Sequence, residues 1–157
     1  MTKHALATTF WHRAEKITAG MLAAGTAPPR PMSHTLRPED PALWFITAAG
    51  TDIAEAARSK SVAQYTLACG HANLYATVDG TVEIVTDQDK LDEIWSPMAA
   101  AWFEDGRADD DIRLIRFTPT QAEVWATDGT AKTLYEMAKA TGSKGLPDTG
   151  EHGTVVF

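Results

Sequence analysis

Two hydrophobic periods alternate along this chain, and the places where one gives way to the other predict its elements. Phe10, Ala14, Ile17, Met21 and Ala24 follow one another at spacings of four, three, four and three. That is one apolar stripe of an α-helix, so a helix is predicted from Thr9 to Ala24, with Gly25 as its stop. Thr26 to Pro31 holds three prolines and no periodicity, and reads as a stiff extended connection. Beyond it the period falls to two: Met32, His34 and Leu36 alternate with Ser33, Thr35 and Arg37, a turn follows from Arg37 to Pro41, and Leu43 to Thr47 is a β-prone return strand.

A short helix should then open at Thr51, whose hydroxyl suits an N-cap, with Asp52 and Glu55 in the dipole-favoured first turn. Val62 to Cys69 reads as a strand. Leu74–Val78 and Thr81–Val85 flank Asp79-Gly80, the dipeptide of a type I′ hairpin. Thr86 and Asp89 resemble a capping box, and Leu91, Ile94, Trp95, Met98 and Trp102 continue at helical spacing; Pro97 splits them into two short helices. After an acidic loop from Phe103 to Asp111, Ile112–Phe117 and Gln121–Ala126 form a second hairpin around Thr-Pro-Thr. A last helix covers Thr130 to Thr141, Ser143 to Gly153 reads as a mobile tail, and Thr154 to Phe157 could add a strand.

These elements give six or seven strands, mostly in hairpins, which favours an antiparallel barrel or a strongly curved sheet over a parallel α/β sheet. With 157 residues, 44% of them hydrophobic, one domain over 1–157 is expected, residues 1–25 supplying its N-terminal helix and 130–157 its C-terminal helix and tail. A net charge of −7 argues against nucleic acid as a partner. Apolar runs such as ALWFITAAG are too short to span a bilayer and no leader pattern opens the chain, so a cytoplasmic protein is expected.

Few residues carry recognisable chemistry. There is no nucleophile elbow, phosphate loop or zinc-protease motif, and the single cysteine, Cys69, reads as a buried thiol. His4, His12, His34, His71 and His152 fit no metal spacing, and the aspartates of the 103–111 loop lack the ligand alternation of a calcium loop, so no metal and no catalytic side chain are assigned. Five tryptophans exceed what a small core needs, and some could face a flat ligand or a subunit interface. One stretch stands apart, Arg30 to Arg58: an arginine at a strand and a loop running into a helix N-terminus form the usual geometry for holding a phosphate.

Arg30-Pro31-Met32, Leu43 to Thr47, Tyr75 to Gly80, Trp102-Phe103 with its acidic loop, and Ala122 to Trp125 occur in an order that resembles the general stress protein 26 group of the pyridoxamine 5′-phosphate oxidase-like, FMN-binding split-barrel superfamily. The resemblance covers roughly Phe10 to Gly129. It implies a six-stranded antiparallel split β-barrel with flanking helices, a homodimer, and two FMN sites at the subunit interface. Arg30 would contact the phosphate, and Met32 with its strand neighbours, Pro31 among them, would line the isoalloxazine. Ile46 and Thr47 would present backbone and hydroxyl to the isoalloxazine, Thr51 would be the phosphate-binding hydroxyl, and Tyr75 and Trp102 would complete the site.

The sequence departs from the family just after Thr51, where Asp52 and Ile53 replace basic residues that end in a lysine. The family's oxidases also carry an arginine-rich C-terminal segment, whereas this chain ends SKGLPDTGEHGTVVF, so pyridoxamine phosphate oxidation is not expected. The implied function is FMN binding in a stress response, with any oxidoreductase chemistry on the flavin. A cofactor-free dimeric barrel acting as a binding protein is the alternative. A different flat ligand, haem or a deazaflavin, fits His34 and the tryptophans more loosely.

Overall fold

The computed structural model describes residues 3–37, 39–129 and 150–157. Its frame is one antiparallel sheet of eight strands: β1 (Gly20–Ala24), β2 (Ala27–Met32), β3 (Thr35–Arg37), β4 (Asp40–Ala48), β5 (Val62–Cys69), β6 (Leu74–Val85), β7 (Ile112–Thr127) and β8 (Gly150–Val156). The strands run in the order β2-β1-β5-β6-β7-β4-β3, and β8 pairs with β7. Helices α1 (Lys3–Ala14), α2 (Asp52–Arg58), α3 (Gln88–Ile94) and α4 (Pro97–Ala100) flank the sheet.

Several expected elements take another form. The N-terminal helix ends at Ala14 rather than Ala24, and Gly20–Ala24 is a strand. Phe10, Ala14 and Ile17 are buried as the helical stripe required, but farther on Leu22 is fully buried while Met21 is 41% exposed, an alternation of period two. Close approach fixes the change: a Cβ on Gly20 would lie 2.7 Å from both Thr66 O and the Tyr65 ring. Gly25 therefore turns a hairpin instead of closing a helix. The proline-rich segment is not a connection but β2, whose prolines are tolerated because it lies at the end of the strand order, where missing N–H groups break no ladder.

Neither predicted inner hairpin exists. Leu74–Val85 is one strand of 12 residues and Ile112–Thr127 one of 16. Asp79-Gly80 and Thr118-Pro119-Thr120 lie opposite each other across this pair: Asp79 faces Gln121 and Gly80 faces Pro119, leaving Thr120 as an extra residue, a β-bulge. Turn-forming residues here bend two strands together rather than reversing either. A Cβ on Gly80 would meet Thr118 O at 2.3 Å, so the pair closes only around glycine.

The bulge is also where the sheet divides. Along the edge of β7 away from β6, Ile112–Phe117 pairs with β4 and Gln121–Thr127 pairs with β8. Eight strands replace the expected six because β1, β2 and β8 add to the count while each bent pair counts once. β8 starts at Gly150, so Gly150–Gly153 is strand and not tail; the predicted helix from Thr130 to Thr141 and the tail up to residue 149 lie outside the described residues. As expected from Pro97, two short helices follow β6, although Asp87, not Thr86, caps the first by accepting from Lys90 N at 3.0 Å.

Two cores stabilise the fold. The larger fills the concave side with Phe10, Leu22, Phe45, Ile53, Tyr65, Leu67, Val78 and Phe117, drawn from α1, α2 and the sheet. A smaller one forms under α3 from Ala42, Trp44, Leu91, Ile94 and Leu114. β4 supplies alternate residues to each, which is why its sequence reads as a continuous apolar run. Arg13 ties α1 to the sheet, donating to the carbonyls of Asn73 and Thr127 at 2.7 and 2.9 Å.

Candidate functional site

The Arg30–Arg58 stretch folds as the sequence predicts at its helix and brings three of the expected residues together. α2 opens after Gly50, and Thr51 caps it, its hydroxyl accepting from Ala54 N at 3.2 Å. The same hydroxyl donates to Ala48 O at 3.0 Å, so the one proton it carries is committed; Thr47 Oγ1 lies 3.4 Å away, at the end of β4. Arg30 faces this end from β2. It pairs across the strands with Leu22, on the core side of the sheet, but remains 43% exposed.

A carboxylate fills the centre of the group. Asp52 Oδ1 accepts from Arg30 at 2.8 Å and from Ile53 N, also at 2.8 Å. The Arg30 guanidinium, the Ile53 amide and the Thr51 hydroxyl are donors a phosphate would use; one guanidinium N–H and the Ile53 amide already go to Asp52 Oδ1, and the hydroxyl proton goes to Ala48 O. As arranged, this donor set does not fit a phosphate dianion. Arg58 does not supply a replacement cation, because it is bound to Glu55 at 2.7 Å near the other end of the helix. Both partners in the Arg30–Asp52 pair are close to half exposed, and such pairs stabilise a fold by about 0–1 kcal/mol. Stability alone therefore gives little reason for it.

Ile53 has no exposed surface and belongs to the main core. Its side chain is part of the packing that seats α2, not of the anion-facing surface. Among the other expected site residues, Met32 is partly buried and its carbonyl accepts the Tyr65 hydroxyl at 2.9 Å. Pro31 is exposed and pairs with Met21. Ile46 turns the opposite way from Thr47 and packs on the small core under α3. Tyr75 lies on β6 opposite Trp125, which stacks on His152 with ring centroids 4.6 Å apart and planes 7° from parallel. Trp102 follows α4 and is 81% exposed. Arg30, Thr47 and Thr51 thus meet within the chain, whereas Tyr75 and Trp102 stand on exposed surface elsewhere.

The residue that sequence reasoning left undervalued is Tyr65. Fully buried, it forms a polar group with His34: Nδ1 lies 2.6 Å from the Tyr65 hydroxyl, and Nε2 lies 2.9 Å from Ala14 O and donates to it. Burial pushes the His34 pKa below its usual value, against a smaller upward effect of the Ala14 bond. Burial raises that of Tyr65, opposed by a backbone bond from Gly20. The imidazole is therefore neutral near pH 7 with its proton on Nε2, and its bare Nδ1 competes with Met32 O for the single proton of the Tyr65 hydroxyl. With both nitrogens engaged, His34 is not placed to ligate haem. Among the described residues no group of three or more His, Cys, Asp or Glu is arranged to hold a metal, and no helix is long and apolar enough to cross a membrane.

A family profile described as pyridoxamine 5′-phosphate oxidase like matches residues 6–148. The chain belongs to that family. Its sheet is the family's split barrel, opened where β4 and β8 share one edge of β7. A protein described as general stress protein 26 from Jannaschia sp. CCS1 is 42% identical, with a TM-score of 0.88 over 99% of this chain and 100% of that one. At 22% identity, the general stress FMN/FAD binding protein of Xanthomonas citri shares the fold with a TM-score of 0.72 over 81% and 92% of the two chains. General stress protein 26 from Bacillus anthracis does so at 15% identity and 0.65, over 76% and 93%. No curated protein matches the chain.

Proposed function

We propose that this chain is a flavin-binding protein of the general stress type, working as a homodimer, with redox chemistry, where it occurs, residing in the isoalloxazine and not in a side chain. Membership of the pyridoxamine 5′-phosphate oxidase like family over residues 6–148 carries the reading, and the meeting of Arg30, Thr47 and Thr51 at the start of α2 supports it. FMN is the reference ligand. A second copy of the chain would complete the site with exposed aromatic surface such as Tyr75 and Trp102. The chain's own part is to orient the ring system and keep water from it; no proton-transferring side chain is assigned.

Titrating the purified protein with FMN and following flavin fluorescence tests this. Quenching that saturates within tens of micromolar is expected, together with absorption near about 370 and 450 nm in preparations that retain cofactor. No change in fluorescence would sink the flavin reading. It would leave the second one, a split-barrel binding protein without cofactor, which the carboxylate at the centre of the donor group favours.

A further inference from the structure

The mismatch between the donor group and a phosphate has a direct consequence for ligand choice. We infer that Asp52 takes the place of a ligand's phosphate: the chain carries its own anion at this position, and the site gives a phosphate monoester no advantage over the same ring system without one. The inference rests on the flavin-site reading above for the identity of the ring, and it concerns what the ring's side chain is allowed to carry.

The geometry supports this at each contact. One oxygen of Asp52 bridges the Arg30 guanidinium and the Ile53 amide, both at 2.8 Å, as one phosphate oxygen would. Thr51 cannot add a donor, since its proton goes to Ala48 O. A phosphate entering here must first displace the carboxylate and then remain beside it, because Asp52 follows the cap directly and its side chain cannot leave the first turn. Repulsion therefore persists even after displacement. Each charge-assisted contact that the phosphate fails to make lowers affinity by about one to two powers of ten, enough to cancel any advantage of FMN over riboflavin.

Asp52 is the residue to change, and Ile53 is not. A lysine in its fully buried position would disturb the core and blur any binding result. Full-length wild type and Asp52→Asn would each be titrated with FMN and riboflavin by fluorescence. Wild type should bind both with dissociation constants within about threefold, and D52N should bind FMN about tenfold or more tightly than riboflavin. Wild-type preference for FMN of tenfold or more would overturn the inference. A second arm needs no flavin: thermal unfolding with inorganic phosphate, against chloride of equal ionic strength. Phosphate should raise the midpoint of D52N, and leave those of wild type and the Arg30→Gln/Asp52→Asn double variant where chloride puts them. A D52N midpoint no more responsive than wild type overturns the role of Asp52. If no variant binds either flavin while D52N alone responds to phosphate, the flavin reading fails and the assignment of Asp52 holds. Asp52→Ser serves in both arms should D52N not fold.

Discussion

Tyr65 shows most clearly how one side chain joins separate parts of this chain. Its hydroxyl lies between His34 Nδ1 and Met32 O, and His34 in turn reaches Ala14 O, so the end of α1, the end of β2 and the middle of β5 meet at one buried polar group. Replacing Tyr65 by Phe leaves the His34 nitrogen without its donor inside the protein and should cost about 1–3 kcal/mol, read from urea unfolding at pH 7. The sign of the pH dependence follows from the lowered folded-state pKa of His34. Between that value and the ordinary 6.5 the unfolded chain binds more protons, so stability rises with pH there. The contribution of neutral His34 is complete above about pH 6.5 and is lost as pH falls through the lowered value. Wild type should accordingly lose more stability than His34→Gln between pH 7 and pH 5; parallel curves would show that His34 does not titrate in this way. Little of this group was legible in the sequence. His34 was marked by its place in an alternating strand, but nothing in the local pattern of VAQYTLAC separates Tyr65 from any other inward-facing aromatic, because its partners lie 31 and 33 residues away.

Elements were legible where local chemistry and tertiary contacts agree, and misread where they compete. Thr51 as cap, α2 and the pair of helices around Pro97 all rest on interactions within a few residues, and each is present, while β5 was legible through its own alternation of exposed and buried positions. The two missed strands depend on distant contacts: Asp79-Gly80 and Thr118-Pro119-Thr120 are turn sequences by every local rule, and only their mutual pairing makes them a bulge. Gly80→Ala tests that account. The added Cβ would sit 2.3 Å from Thr118 O, a backbone atom that cannot rotate away, so a loss of about 3 kcal/mol is expected by chemical denaturation. Pro119→Ala, which adds no atoms and frees the unfolded chain, should cost about 1 kcal/mol or less. A type I′ turn at Asp79-Gly80 would resist alanine only through its positive φ, at about 1 kcal/mol, so a loss no larger than that at Gly80 would count against the paired bulge. At α1 the informative change is Arg13→Ala. Two charge-assisted bonds, to Asn73 O and Thr127 O, hold the helix against the ends of β6 and β7, and losing them should destabilise the protein by about 2–3 kcal/mol.

At the scale of the whole molecule, the convex face of the sheet sets the remaining question. Met21 on β1, Tyr75 on β6, Trp125 on β7 and Val156 on β8 are all substantially exposed, with Trp125 stacked on His152 between them. Pairing fixes the alignment of part of this surface: Tyr75 lies opposite Trp125, and Trp125 opposite His152, so the three rings cross three adjacent strands in one row. Aromatic rows of this kind contribute much of the binding energy at protein interfaces, since they bury large area at small entropic cost. Homodimerisation through this face is the form of the proposed dimer that the chain's surface supports. Sedimentation at micromolar concentration should then give twice the 17.0 kDa mass of the chain. Tyr75→Glu and Trp125→Glu, each placing an unpaired charge in the row, should shift the protein to monomer while leaving the far-ultraviolet circular dichroism unchanged. Tyr75 is itself an expected flavin contact, so Trp125→Glu is the variant that separates two functions of the second copy. If flavin binding falls together with the dimer, the second copy completes the site; if binding persists in the monomer, Arg30, Thr47 and Thr51 suffice and the row serves association alone. A wild-type chain that sediments as a monomer would remove the dimer from the proposal altogether.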